Sequence, residues 1–304
     1  MILVWFLPQK SNQVSFSIFH QPNGNIMKQF VVIALITTLL TACQTTTTQT
    51  SVGGAYQGTD LSSRTTDKSE LARVRTAMAA QFIGERKLDD AQKQLEMAFS
   101  ADPRYAPAYD MMGNLLSEEG SEINLKKADE YFRKALSIDP NFVQARNNYG
   151  VYLSKMGRYK EAVEQFSIAG STLGYNNRLS SLENLGLTYL KLGDEKNAES
   201  AFNRALDVDQ GAVTARLELV DILINQKRTL QAKEYYDGLR SLWQVHNEPL
   251  TPRLLFQGIR LSIIQNNPQE RQRLSGLLLS QHPLSDEAKK LKTWLSNPAG
   301  APLK

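Results

Sequence analysis

Few residues of this chain could carry out chemistry, and Cys43 has the clearest setting. It is the only cysteine among 304 residues, so no disulfide can form within one chain. The three histidines, at positions 20, 246 and 282, are far apart in the sequence. No CxxC, HExxH, GxSxG or phosphate-loop pattern occurs. We therefore predict a protein that is not an enzyme and holds no metal or cofactor. The question that remains is what the thiol of Cys43 does.

Cys43 ends a short apolar segment that starts at Met27 and reads MKQFVVIALITTLLTAC. Lys28 supplies a positive start, and the apolar stretch that follows is shorter than the roughly 20 residues needed to span a bilayer. The tetrapeptide Leu40-Thr41-Ala42-Cys43 resembles the lipobox of bacterial lipoproteins. This resemblance implies a signal peptide over 27–42, a diacylglycerol on the Cys43 thiol and a third acyl chain on its amino group. A buried cysteine or an uncleaved anchor is the alternative.

The residues on either side of this segment predict where the protein goes and where it starts. Lipoproteins with Asp after the acylated cysteine stay in the inner membrane, so Gln44 implies the periplasmic face of the outer membrane. Three acyl chains exceed the two signals needed for stable anchoring. Residues 1–26 precede a complete signal peptide, so we expect Met27 to be the true start. A long positively charged leader is the alternative.

Residues 43–68 are rich in Thr, Ser, Gln and Gly and contain few apolar side chains. Such a composition cannot bury enough surface to offset the entropy cost of ordering. We therefore predict a flexible, lipid-anchored tether. O-glycosylation of the Thr run is an alternative reading that nothing in the sequence requires.

An internal repeat begins after this segment. Small residues recur at intervals of 34, 37, 36 and 34, and most are followed twelve residues later by alanine and sixteen residues later by a large apolar group. The recurring small positions are Ala79, Gly113, Gly150, Gly186 and, as the last of the series, Val220. The large positions are Leu95, Phe132, Phe166, Phe202 and Tyr236. This alternation predicts pairs of antiparallel helices that cross closely at the small residues.

The pattern resembles the tetratricopeptide repeat. It implies an all-α fold, a right-handed superhelix of about six helix pairs over 69–295, followed by a tail at 296–304. One unit cannot bury its apolar face alone, so the units must stack. Residues 251–283 form a degenerate sixth pair, in which Gly258, Arg271 and Ser275 depart from the pattern, and a last helix is predicted near 284–295.

Tetratricopeptide repeats present an inner groove lined by the first helix of each pair. By resemblance, the second, fifth, ninth and twelfth positions of each unit face this groove. Amides there could bond the backbone of an extended peptide, and apolar positions could accept its anchors. The alternative for each residue is a contact with a neighbouring helix. The predicted groove residues are Arg73, Thr76, Ala80, Ile83, Asp110, Asn114, Asn147, Val151, Glu183 and Leu187.

The combination of lipobox, tether, repeats and degenerate end resembles the type IV pilus biogenesis and stability lipoproteins, the pilotins of the pilus secretin. The segments that carry the resemblance are ARNNYGVYLSKMGRYKEA, LLFQGIRLSIIQNN and the final Pro283-Leu284-Ser285-Asp286-Glu287-Ala288. It implies a protein that binds the secretin and promotes its localisation and multimerisation. An adaptor that scaffolds peptidoglycan enzymes or outer-membrane protein assembly is the alternative. The net charge of +4 is too small to favour nucleic acid as a partner.

Overall fold

The computed structural model of the chain describes residues 61–245, 248–297 and 303. Cys43, the predicted signal peptide and most of the predicted tether lie outside these residues. Within them the chain forms thirteen α-helices and no strand, which confirms the predicted all-α solenoid of six helix pairs. The helices are α1 (Leu61–Gly84), α2 (Leu88–Ala101), α3 (Ala106–Glu119), α4 (Glu122–Ile138), α5 (Val143–Lys155), α6 (Tyr159–Ser171), α7 (Arg178–Lys191), α8 (Glu195–Val208), α9 (Val213–Asn225), α10 (Thr229–Val245), α11 (Pro252–Ile264), α12 (Pro268–Gln281) and α13 (Asp286–Ser296).

The two helices of a pair cross where a glycine of the first meets an aromatic ring of the second. A methyl group built on Gly150 would lie 2.7 Å from Phe166 Cε1, and one on Gly186 would lie 2.5 Å from Phe202 Cε1. Carbon atoms in ordinary contact are about 3.5–4.0 Å apart. Even an alanine would therefore force the helices apart. This is the physical reason for the small-to-large spacing seen in the sequence.

The sixth pair keeps this crossing, and the sequence interpretation of Gly258 was wrong. A methyl group on Gly258 would lie 2.7 Å from Leu274 Cδ1 and 2.1 Å from the Tyr236 hydroxyl oxygen. Gly258 therefore serves as the close-contact residue of the unit, sixteen residues before Leu274, as Gly150 is before Phe166. The departures at Arg271 and Ser275 remain, because the buried residues of α12 are Leu274 and Leu278.

The first helix begins earlier than the predicted edge of the repeat domain. Helix α1 starts at Leu61, so the last eight residues of the segment predicted as a tether, 61–68, are helical. Residues 61–83 contain neither glycine nor proline, the two residue types that interrupt a helix most strongly. Once α1 is nucleated, each further turn toward the N-terminus costs little.

The first helices of successive pairs contact one another along the whole repeat domain, from α1 and α3 to α11 and α13. Among the described helices, no second helix contacts the second helix of a neighbouring pair. The first helices therefore form the crowded inner layer of the solenoid and the second helices the splayed outer layer. None of the described helices is both long enough and apolar enough to cross a membrane.

Candidate functional site

The predicted groove residues fall into two sets that differ in burial. The fifth-position residues, three places before each small crossing residue, are almost fully buried: Thr76, Asp110, Asn147 and Glu183. The ninth-position residues remain accessible. Ala80 is exposed, and Asn114, Val151 and Leu187 are half-buried. The accessible floor of the groove is therefore formed by the ninth positions. We refer to these four residues as the ninth-position stripe.

The two remaining predicted residues lie in the first unit. Arg73 is exposed and pairs with Glu70 on its own helix at 2.6 Å, whereas Ile83 packs against the apolar core as a half-buried side chain. An ion pair this exposed contributes little to stability. Arg73 is thus available to a partner, while Ile83 supports the end of α1. The role of either residue in binding stays a prediction.

The buried fifth-position residues connect neighbouring first helices. Asn148 Nδ2 on α5 donates to Asp110 Oδ2 on α3 at 2.8 Å, and Ser181 Oγ on α7 donates to Asn147 Oδ1 on α5 at 2.8 Å. Asp110 Oδ1 has no partner among the described residues. Burial raises the pKa of the Asp110 carboxyl to about 7, because the charged form loses its hydration, and the bond from Asn148 opposes this only in part.

Glu183 extends this row of contacts to the fifth unit by capping a helix in its neighbour. The backbone N–H of Ala215, in the first turn of α9, donates to Glu183 Oε1 at 3.3 Å. The residue before α9, Ala212, has no side-chain oxygen that could cap it. The first backbone N–H groups of a helix need an acceptor and favour a nearby negative charge. Burial nevertheless raises the pKa of the Glu183 carboxyl.

The loop between α6 and α7 reaches back to the same row. Tyr175 Oη and Asn177 Nδ2 both donate to Gln144 Oε1 at 3.0 Å. Gln144 Nε2 in turn donates to Asn148 Oδ1 at 2.8 Å, and Asn148 bonds Asp110. Burial raises the pKa of Tyr175 to about 12, so its hydroxyl is protonated and can donate at neutral pH. A chain of hydrogen bonds thus holds the second, third and fourth units in one arrangement.

The fifth and sixth units are joined by ion pairs rather than by amides. Asp221 on α9 accepts from Arg253 at 2.8 Å and from Arg260 at 2.7 Å. Arg253 also pairs with Glu218 at 2.7 Å. Only 8% of the Arg260 side chain is exposed, and both arginines come from α11. This cluster closes the row at the C-terminal end of the inner layer.

Sequence reasoning overlooked Gln144, Tyr175 and this charged cluster. A signal for part of it was present, because Asp221 directly follows Val220 as Asn114 follows Gly113. Extending the ninth-position rule to the fifth unit would have identified Asp221. Tyr175 lies in a loop with no repeat position, so periodicity could not have found it. The described residues contain no group of His, Cys, Asp and Glu side chains suited to a metal ion.

Comparisons with known proteins agree with this architecture. Models of the tetratricopeptide repeat match residues 106–142 and 141–211. Over 149 residues the chain is 31% identical to the type IV pilus assembly protein PilF of Pseudomonas aeruginosa. That alignment covers 49% of this chain and 58% of the relative. It therefore spans less than two thirds of the length of the relative.

Two solved structures resemble the fold. The structure of Pseudomonas aeruginosa PilF superposes with a TM-score of 0.65 at 25% identity, and the match covers 75% of this chain and 99% of that one. The structure of PilW, described as a widely conserved type IV pilus biogenesis factor, has a TM-score of 0.60 at 24% identity, with 73% and 98% covered. The chain is a tetratricopeptide-repeat solenoid. The proteins it is similar to are repeat proteins of assembly systems and not enzymes, which confirms the prediction of a non-enzymatic protein.

Proposed function

We propose that this tetratricopeptide-repeat protein is an outer-membrane lipoprotein that binds the type IV pilus secretin and promotes its localisation and multimerisation, and hence pilus biogenesis. The observation that carries the proposal is the 31% identity to the pilus assembly protein PilF. The superposition that covers 99% of the PilF chain supports it. The coincidence of this similarity with a lipobox sequence at Leu40–Cys43 adds independent support.

The inner layer offers a surface suited to a peptide or helix of a partner. The ninth-position stripe mixes an amide, Asn114, with the apolar side chains of Ala80, Val151 and Leu187. Amide groups can bond the main chain of an extended segment, and apolar positions can take its anchoring side chains. The polar row beneath the stripe contributes preorganisation. Because Asn148, Ser181 and Ala215 already tie adjacent units together, little ordering cost remains to be met on binding.

The lipid on Cys43 would supply location rather than affinity. Acylation at this position would hold the solenoid near the inner leaflet of the outer membrane, on a segment of 17 residues between Cys43 and the start of α1 at Leu61. A short tether raises the effective concentration of the groove for any partner at the same membrane. Binding and anchoring are therefore separable functions of this chain.

A clean chromosomal deletion, complemented with the wild type or with Cys43→Ser, tests this function. We expect the deletion to lose heat-resistant secretin multimers from outer-membrane fractions on immunoblots, and to lose surface pili and twitching motility. The wild type should restore both, and Cys43→Ser should restore them poorly despite normal protein levels. Normal multimers and normal pili in the deletion strain would refute the proposal and favour the adaptor function.

A further inference from the structure

A polar cleft lies at the C-terminal end of the inner layer, between α9, α11 and α13. Its volume is about 300 Å³, and its lining includes Asp221, Asn225, Arg253, Gln257 and Arg260. The wall opposite the arginines is formed by Phe256, whose ring lies 6.0 Å from Lys290 Nζ of α13. The ninth-position stripe stops at Leu187 of α7, so this cleft is a separate feature of the inner layer.

Gln257 gives the cleft an unsatisfied hydrogen-bond acceptor. Its side chain is fully buried, and its Nε2 donates to Leu217 O and to Asp221 Oδ2, each at 2.8 Å. Both donor bonds fix the amide orientation, and Gln257 Oε1 is left without a partner among the described residues. A buried acceptor left unpaired costs about 1–3 kcal/mol. The cleft therefore favours a ligand that brings an N–H group.

Arg260 shows which acceptor the same cleft takes. Its Nη atoms are held by Asp221 Oδ1 at 2.7 Å and by Asn225 Oδ1 at 2.8 Å. This leaves Nε to donate to the main-chain carbonyl of Leu303 at 3.1 Å. The Leu303 side chain packs against the apolar cluster that contains Leu255 and Ile259. A carbonyl acceptor, an apolar side chain beside it and a nearby demand for an N–H are together the features of an extended peptide.

We propose that this cleft is a peptide-docking site and that the chain's own C-terminal segment, anchored by Leu303, is its resident ligand. While Leu303 occupies its position, an incoming peptide cannot use Arg260 or the apolar contact beside it. The cleft is thus self-occupied, and it opens only when the C-terminal segment leaves. This inference concerns the chain alone and does not depend on which partner the ninth-position stripe binds.

A peptide supplied in trans tests the proposal. The probe is a fluorescein-labelled peptide with the sequence of residues 296–304, SNPAGAPLK, and the readout is fluorescence polarisation. The receptor is the full-length, non-lipidated Cys43→Ser protein with Leu303→Asp, whose own segment has lost its apolar anchor. We expect saturable binding to this receptor. Binding to the same protein with Leu303 intact should be at least tenfold weaker, because a tethered competitor acts at a concentration in the millimolar range.

The controls separate the cleft from general stickiness. Leu284→Asp, at a leucine that is 84% exposed just before α13, should behave like the protein with Leu303 intact. A peptide with aspartate in place of its leucine should not bind, and this control cannot disturb the fold of the receptor. Adding Arg260→Gln to the Leu303→Asp receptor should weaken binding at least tenfold. Equal affinity for both receptors, no binding to the Leu303→Asp protein, or equal binding of the two peptides would each overturn the proposal.

Discussion

Replacing Asp110 by asparagine should make the protein more stable at neutral pH, and the gain should disappear in acid. The carboxyl is buried, one of its oxygens has no partner, and its pKa is raised from 3.8 to about 7. Because the raised pKa belongs to the folded state, folding favours the protonated acid. The stabilising contribution is fully present below pH 3.8 and is lost as the pH rises through about 7.

The size of the effect follows from the shift. A difference of about three pKa units at about 1.4 kcal/mol each sets an upper limit of roughly 4 kcal/mol on the cost of ionising Asp110 in the folded protein. Relaxation around the site lowers this, so we expect Asp110→Asn to raise the free energy of unfolding by about 2–4 kcal/mol at pH 8. Asparagine keeps an oxygen that can accept from Asn148 Nδ2, so that bond survives the change.

Urea unfolding followed by circular dichroism at pH 4 and pH 8 measures both limits. The wild type and Asp110→Asn should differ strongly at pH 8 and by less than about 1 kcal/mol at pH 4. Asp207→Asn, at an exposed aspartate, is the matched control and should show no pH-dependent difference. The reasoning is refuted if Asp110→Asn is less stable than the wild type at pH 8, or if the difference is the same at both pH values.

Three further changes test other parts of the structure. Gly186→Ala should destabilise the fourth unit by about 1–3 kcal/mol, because its methyl group would lie 2.5 Å from Phe202 Cε1. Gly276→Ala, with nothing within 4 Å, should instead stabilise α12 by about 0.5–1 kcal/mol in the same urea assay; destabilisation by both would mean that packing is not the cause. Glu183→Ala should cost about 0.5–2 kcal/mol and increase amide hydrogen exchange at the start of α9, because it removes the acceptor of the Ala215 N–H; unchanged exchange there would contradict the capping role. Cys43→Ser should abolish the mass increment of acylation while leaving the circular dichroism spectrum unchanged; an intact, unmodified Cys43 in the wild type would exclude lipidation.

The helix pairs could be predicted from sequence because their cause is local. Gly150 and Phe166 belong to one unit, and the contact between them depends only on the geometry of two adjacent helices. The same holds for Gly186 and Phe202. Gly258 was misjudged because its partner Leu274 sits in a helix whose other apolar positions depart from the repeat, so the pattern around it concealed the conserved interval.

The burial of the fifth positions could not be predicted, because it depends on contacts between units. Asn147 and Glu183 look like groove residues when each unit is considered alone. Their actual partners, Ser181 and Ala215, lie 34 and 32 residues further along the chain. The same separation hides the link between Asp221 and Arg260, 39 residues apart. No periodic rule specifies which polar side chains of two stacked helices will meet.

The most direct test of the proposed function is a binding titration between this protein and the purified periplasmic part of the type IV pilus secretin. The full-length Cys43→Ser protein should bind the secretin in solution, because Cys43 lies outside the repeats. Val151→Asp, which places a charge in the ninth-position stripe, should weaken binding at least tenfold, whereas Leu230→Asp, at a leucine on α10 that is 85% exposed, should not change it. Undetectable binding of the Cys43→Ser protein, or equal affinities for the Val151→Asp and Leu230→Asp variants, would contradict the proposal that the inner layer of this solenoid binds the secretin.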